Sequence, residues 1–174
     1  MFNAPGRLLY IGANERRHHY CPELFAAGNE LTVLEAWEQN IAGLKRKEMF
    51  HNVVLGDARC VDTIQLGRRM FDYVVFWHGP EHLAVDELEG TVTKIERVTQ
   101  KIVVLASPWG LYPQDAVGGN EFEIHQASLY PDDYKNLGYN VKTLGSPNVV
   151  DSHILAWKRL SFSARRRKIT SPIL

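Results

Sequence analysis

The amino-acid sequence predicts an α/β fold: a doubly wound, mostly parallel sheet of seven strands that closes with an antiparallel hairpin. Three observations carry this. Short apolar runs alternate with segments of helical periodicity along most of the chain. Glycine or an acidic residue follows several of the runs, as expected where strand ends turn into helices. The last two runs are separated only by Gly145 to Asp151, too few residues for the crossover of about a dozen that a parallel pair needs.

In order, Arg7 to Ile11 reads as a buried strand ending at Gly12, and a basic stretch leads into a helical segment that stops at Ala27, before Gly28 and Asn29. Leu31 to Leu34 is a second strand, ending at Glu35; Trp37 to Lys47 carries Trp37, Ile41 and Leu44 at helical spacing. Asn52 to Leu55 is a third strand, followed by Gly56, Asp57 and a helix expected to reach Arg69. Phe71 to Trp77 is an unbroken apolar run, the pattern of a strand covered on both faces. Pro80 suits a first helical position, and an amphipathic helix is predicted from there to Val98. Lys101 to Ala106 is a fifth strand. Ser107 to Glu121 is irregular and rich in Pro, Gly and aromatic residues, a composition typical of lids and binding loops. A helix over Ser128 to Leu137 and strands over Tyr139 to Leu144 and Ser152 to Trp157 complete the plan.

A chain of 174 residues that is 45% hydrophobic and 23% charged has the material for one full core, and its formal net charge of zero offers no general attraction for nucleic acid or membrane. The expected organisation is one α/β domain over residues 1–160 and a disordered basic tail over 161–174, where Arg165, Arg166, Arg167 and Lys168 cluster. Cys21 and Cys60 are too few and too isolated for a disulfide framework or a zinc knuckle, and the start of the chain lacks the apolar stretch of a signal peptide. No apolar run approaches the roughly 20 residues that span a bilayer. A cytoplasmic protein without a membrane partner is the expectation.

Four local motifs sit at the ends of successive strands: LLYIGANE (Leu8 to Glu15), VLEAW (Val33 to Trp37), GDAR (Gly56 to Arg59) and FDYVVFWHGPEHL (Phe71 to Leu83). Together with the strand plan they resemble the class I S-adenosylmethionine-dependent methyltransferases, with their Rossmann-like fold, over nearly the whole chain up to about Arg159. The resemblance implies S-adenosylmethionine as cofactor, held by Gly12, Asn14, Glu35, Ala36, Trp37, Asp57, Ala58 and Trp77. Glu35 would accept the ribose hydroxyl protons, and Asp57 with Ala58 would face the adenine. Ligands of open α/β sheets do bind at the carboxyl ends of strands, beside a tight glycine turn and an acid about 20 residues further on. Taken singly, Glu35 equally suits a helix N-terminus and Asp57 a helix cap. The glycine loop departs from the family pattern: Tyr10 replaces its acid, and Asn14 and Arg16 replace its later glycines.

The stretch His78-Gly79-Pro80-Glu81-His82 carries the chemistry. It reads H-x-x-E-H, yet Gly79 and Pro80 keep His78 off the following helix, which rules out the zinc-peptidase arrangement. It is closer to some small-RNA 2′-O-methyltransferases and quinone O-methyltransferases, which hold a divalent metal with Glu-x-x-Glu-His and a later histidine. That resemblance implies Glu81, His82 and His125 as ligands, with His78 in the place of the first Glu; opening a helix is the alternative role of Glu81 and His82. Without a metal, His78 or His82 is the expected general base, since a neutral imidazole can take the acceptor's proton. His18 and His19, adjacent in sequence, cannot share a helix face as a metal pair.

Trp109 and His125 are the expected substrate contacts, with Tyr112 beside them; anchoring the loop is the alternative for the two aromatics. The expected activity is methyl transfer to a hydroxyl or amine of a small molecule. A metal-assisted O-methyltransferase and a catalytically inactive binding module are the alternatives. A nicotinamide-dependent oxidoreductase is disfavoured, because G-x-G-x-x-G is missing. No Asn/Asp-Pro-Pro-Tyr motif for nucleobase amines is present, although nucleic acid stays open as a partner. With no extension ahead of the first strand, cover over the site is expected from the long loop, from a partner subunit such as a second copy, or from a large substrate.

Overall fold

The computed structural model describes residues 5–13, 28–66 and 70–160. Seven strands form one sheet: β1 (Arg7–Ile11), β2 (Glu30–Glu35), β3 (Asn52–Leu55), β4 (Phe71–Trp77), β5 (Thr99–Pro108), β6 (Asn140–Leu144) and β7 (His153–Arg159). Their spatial order is β3-β2-β1-β4-β5-β7-β6. Strands β1 to β5 pair in parallel, while β7 runs antiparallel to both β5 and β6. The predicted hairpin is therefore present, with the last strand inserted between β5 and β6. Gly145, at φ +83°, makes its turn, and a Cβ there would fall 2.1 Å from Ser152 Oγ.

Alternation along each strand divides the core into two layers, because successive side chains point to opposite faces. Leu9, Ile11, Val74, Phe76, Val103, Leu105, Ile154 and Ala156 face one side. Leu8, Tyr10, Tyr73, Val75, Ile102 and Val104 face the other. Helix α2 (Val85–Arg97) covers the first face with Leu88, Val92 and Ile95, a stripe at helical spacing, together with Tyr134 of α3 (Pro131–Asn136). Helix α1 (Glu38–Lys45) covers the second through Leu44. Tyr134 is fully buried, and its hydroxyl donates to Ser107 Oγ at 2.8 Å.

Three helix expectations are corrected. After Gly56 the chain makes only a 3₁₀ turn (Ala58–Cys60) and then turns through residue 66, because Val61 and Ile64 are drawn into the core beneath β2. Arg69 itself lies outside the described residues. Pro80 opens a second 3₁₀ turn (Pro80–His82), Leu83 and Ala84 are extended, and α2 begins only at Val85. Glu87 Oε2 accepts from the Ala84 N–H at 3.1 Å, satisfying a donor at that helix start. Helix α3 is shorter than the predicted Ser128 to Leu137, since Pro131 sets its first turn. The helix expected to end at Ala27, residues Asn14, Arg16, His18, His19 and Cys21, and the tail 161–174 lie outside the described residues. Among the described residues no helix is long and apolar enough to cross a membrane.

Leu105 is fully buried in the middle of β5. Leu105→Ala should cost about 2–5 kcal/mol of unfolding free energy, read as a lowered urea midpoint at unchanged slope.

Candidate active site

Parallel pairing brings the carboxyl ends of β1, β2, β4 and β5 to one edge, where two cavities open side by side. The larger, about 290 Å³, lies over β1, β2 and β3. Gly12, Glu35, Ala36, Asp57 and Ala58 line it, and the segment Asn120 to Glu123 with Gln126 supplies its far side. The smaller, about 190 Å³, lies over β4, β5 and the start of β7. Gly12, His78, His82 and Glu123 belong to both walls.

Gly12 leaves β1 at φ +76°, a conformation costly for a residue with a Cβ, and donates to Leu34 O. Glu35, at the end of β2, is 5% exposed. Its Oε1 accepts from the Trp37 N–H at 2.9 Å and from Asn40 Nδ2 at 3.3 Å, which leaves Oε2 for the cavity. Burial pushes its pKa up to about 7, against the lowering pull of those two bonds. Asp57 caps the 3₁₀ turn through Arg59 N at 2.8 Å, and its carboxylate also holds the Arg59 guanidinium, with Nη2 at 2.6 Å from Oδ2. Burial works to raise the Asp57 pKa, but Arg59 outweighs it and keeps the carboxyl below its usual range. Arg59 reaches on to Glu87 at 3.2 Å.

The predicted contacts divide between the cavities. Gly12, Glu35, Ala36, Asp57 and Ala58 come together in the larger one. Trp77 lines the smaller one, and Trp37 lines neither, standing at the start of α1 with its N–H on Glu35. Trp109 also lies off both walls: its backbone bonds Ser152 and Asn148 while its ring packs on the core, so it anchors the loop. Tyr112 and His125 line the smaller cavity.

His78 follows β4 at φ 48°, an uncommon conformation for a residue with a side chain, and its N–H is tied to Ala106 O. Its Nδ1 lies 3.1 Å from Glu81 Oε1. Glu81 is 2% exposed, and its Oε2 is buried without a hydrogen-bond partner. His82 Nδ1 lies 3.1 Å from Ile124 O, and His125 Nδ1 bonds Tyr112 O. A carbonyl only accepts, so both Nδ1 atoms carry a proton, and the neutral form of either ring holds its lone pair on Nε2. The two rings meet edge-on at 4.9 Å. One donor atom each from Glu81, His82 and His125 lie within 4.8 Å of one another. Burial, helped by His82 and His78, depresses the His125 pKa and favours the neutral, ligating form.

The sequence reading passed over the start of β7. His153 lines the smaller cavity and meets His78 edge-on at 5.1 Å, and burial lowers its pKa as well. Asp151, at φ 62°, lies on the same wall. The antiparallel hairpin was the available signal, since it brings the first residue of the last strand level with the end of β5.

No protein-family model matches the chain, and no curated protein matches it in sequence. Its fold does match solved structures. TehB from Haemophilus influenzae aligns with a TM-score of 0.63 and 16% identity, over 92% of this chain and 59% of its own. Magnesium protoporphyrin IX methyltransferase (ChlM) from Synechocystis PCC 6803, solved with bound SAM, aligns at 0.61 and 12% identity, over 91% and 71%. A protein from Rhodobacter sphaeroides described as a putative Zn-dependent alcohol dehydrogenase aligns at 0.64 and 10% identity, over 91% and 86%. The fold is that of the class I S-adenosylmethionine-dependent methyltransferases.

The raised Glu35 pKa has a consequence for the cofactor-free protein. The folded chain keeps this proton up to about pH 7, whereas the unfolded chain releases it near 4.5. Between those values the folded state binds more protons, so stability falls as pH rises. Wild type should lose stability between pH 5 and 8, by about 3 kcal/mol at most, and Glu35→Gln should flatten that decline in urea titrations.

Proposed function

We propose that this chain transfers the methyl group of S-adenosylmethionine to a hydroxyl or amine of a small molecule, with a divalent cation at the acceptor side. One observation carries the reading: a cavity of about 290 Å³ bounded by Glu35 shares a wall of two histidines with a smaller cavity beyond it. Transfer needs nucleophile, methyl carbon and sulfur in line, which two adjoining cavities can provide. The methyltransferase of the same fold solved with bound SAM supports the choice of cofactor, and Glu35 on the wall of the larger cavity supports placing it there.

The residues fit that cofactor. Glu35 lines the cavity, and its two bonds among the described residues both fall on Oε1, so Oε2 suits a ribose hydroxyl donor. Gly12 leaves room for close approach, as a Cβ there would meet nothing nearer than the Phe76 ring at 4.0 Å. The Asp57 carboxylate is already engaged by Arg59, so the adenine would lean on Ala58 and the backbone, or share Asp57 with Arg59. When bound, the cofactor supplies an electrophilic methyl on a sulfonium, whose sulfur leaves with the electron pair of the broken C–S bond. His78 lies on both walls, and the Glu81 carboxylate 3.1 Å from its Nδ1 orients the ring and would stabilise it once it has taken the acceptor's proton.

The cation reading rests on Glu81, whose Oε2 is buried without a hydrogen-bond partner and whose carboxylate groups with two imidazoles, each held through Nδ1 by a backbone carbonyl. Metal-bound histidines commonly donate their other N–H to a carbonyl in this way. A cation there would hold an acceptor oxygen and acidify it. Two imidazoles and one carboxylate suit first-row transition ions such as Mn²⁺, Co²⁺ or Zn²⁺ better than Mg²⁺.

Calorimetry should show S-adenosylhomocysteine binding, weakened at least about tenfold by Glu35→Ala, the loss of one charge-assisted pair. No binding at millimolar ligand would sink the enzyme reading and leave the inactive binding module. Screening hydroxyl and amine acceptors for S-adenosylhomocysteine release should reveal an activity that chelator removes and Mn²⁺ or Co²⁺ restores. Undiminished transfer in chelator and in His82→Ala would remove the cation while leaving the methyltransferase.

A further inference from the structure

The segment between β5 and α3 is tied to the turn after β4 by a run of bonds. The Gln126 and Ala127 N–H groups both donate to Glu81 O, at 2.8 and 3.1 Å. Gln126 Nε2 donates to His82 O at 3.0 Å, and His82 returns a bond to Ile124 O. Within the segment, His125 N donates to Gln114 O at 3.0 Å and Gln114 Nε2 to Glu123 O at 2.7 Å. Its stretch from Asn120 to Glu123, together with Gln126, is the far wall of the cofactor cavity. His125 stands between Glu123 and Gln126, and it is the one member of the Glu81–His82–His125 trio that this segment contributes.

We propose that a divalent cation bound by Glu81, His82 and His125 clamps this segment over the cofactor cavity, so that cation and cofactor bind cooperatively. The inference rests on the cation site proposed above and concerns what that site does to its neighbour. Two of the ligands lie on the turn after β4 and the third on the cavity wall, so coordination cross-links the two pieces of backbone. Opening the wall would then break a metal–nitrogen bond as well as the hydrogen bonds. Closure without the cation leaves Glu81 Oε2 buried and unpartnered, a cost that coordination removes. The cation therefore prepays the ordering of the wall on which the cofactor depends. Linkage makes the effect reciprocal: the factor by which the cation tightens the cofactor equals the factor by which the cofactor tightens the cation.

The test titrates the full chain with S-adenosylhomocysteine, whose neutral sulfur avoids direct repulsion by a cation. Titrations run with chelator and with saturating Co²⁺ or Mn²⁺, and Co²⁺ uptake is followed by its visible absorption. Expected are S-adenosylhomocysteine affinity raised at least about fivefold by the cation, an equal rise in Co²⁺ affinity with S-adenosylhomocysteine present, and cation-dependent slowing of amide exchange over residues 112–127. Gln126→Ala, which loosens the cation-free wall, should keep Co²⁺ uptake and leave the factor as large or larger, and His125→Ala should abolish the factor. Co²⁺ uptake with unchanged S-adenosylhomocysteine affinity overturns the coupling and leaves the cation site standing. A factor that persists in His125→Ala also overturns it. Failure of the wild-type chain to take up Co²⁺ or Mn²⁺ overturns the cation site and the coupling together, while S-adenosylhomocysteine binding in chelator would still uphold the cofactor reading.

Discussion

The position of β4 between β1 and β5 is the constraint on which the rest depends. Parallel pairing sets Ile11 opposite Phe76 and Trp77 opposite Ala106, so Gly12 and His78 follow the ends of β1 and β4 within about one residue of a common level, beside Ser107 of β5. These three strands are covered on both faces, which makes their register expensive to shift: a slip of one residue would exchange the two core layers. A glycine turn and a strained histidine can therefore stand side by side without contacting one another in sequence. Their common level turns separate strand ends into two adjoining cavities.

Glu81 is the second fixed point. It is the most deeply buried charged residue at the site, and its three oxygens have three different surroundings. The backbone oxygen seats the loop through Gln126 and Ala127, Oε1 meets His78, and Oε2 is buried without a hydrogen bond in a carboxylate that lies close to His82 and His125. Burying a carboxylate there costs desolvation, which the His78 contact offsets at Oε1 while Oε2 has no hydrogen bond. Its retention within the fold is understandable if its remaining partner is a ligand rather than a side chain.

The strands were readable because β-periodicity is local: β1, β3 and β4 have the predicted ends, and the hairpin follows from the length of one connection. Helix limits were less readable. The run after Asp57 carries helix-compatible residues, yet Val61 and Ile64 gain more by entering the core than by completing turns. Pro80 marks a helix start by its own geometry but begins a separate short turn, since Leu83 is needed extended and buried against the core. For the candidate site, the ends of consecutive strands gave Gly12, Glu35, Asp57, His78 and His82. Trp77 lines the smaller cavity and Trp37 neither, because the side of a strand end to which a ring turns is set by packing and not by its position in a motif.

What the sequence determined by itself, then, is the alternation of elements, the parallel body with its antiparallel close, and the strand-end residues, because each depends on spacing over a few positions. Only the tertiary structure decided which of these residues meet. Glu81 and His125 lie 44 positions apart, and His78 and His153 lie 75 apart. Their convergence is set by a loop folding back on the turn after β4 and by β7 inserting beside β5. Such contacts depend on register and packing between distant segments, which no local pattern encodes.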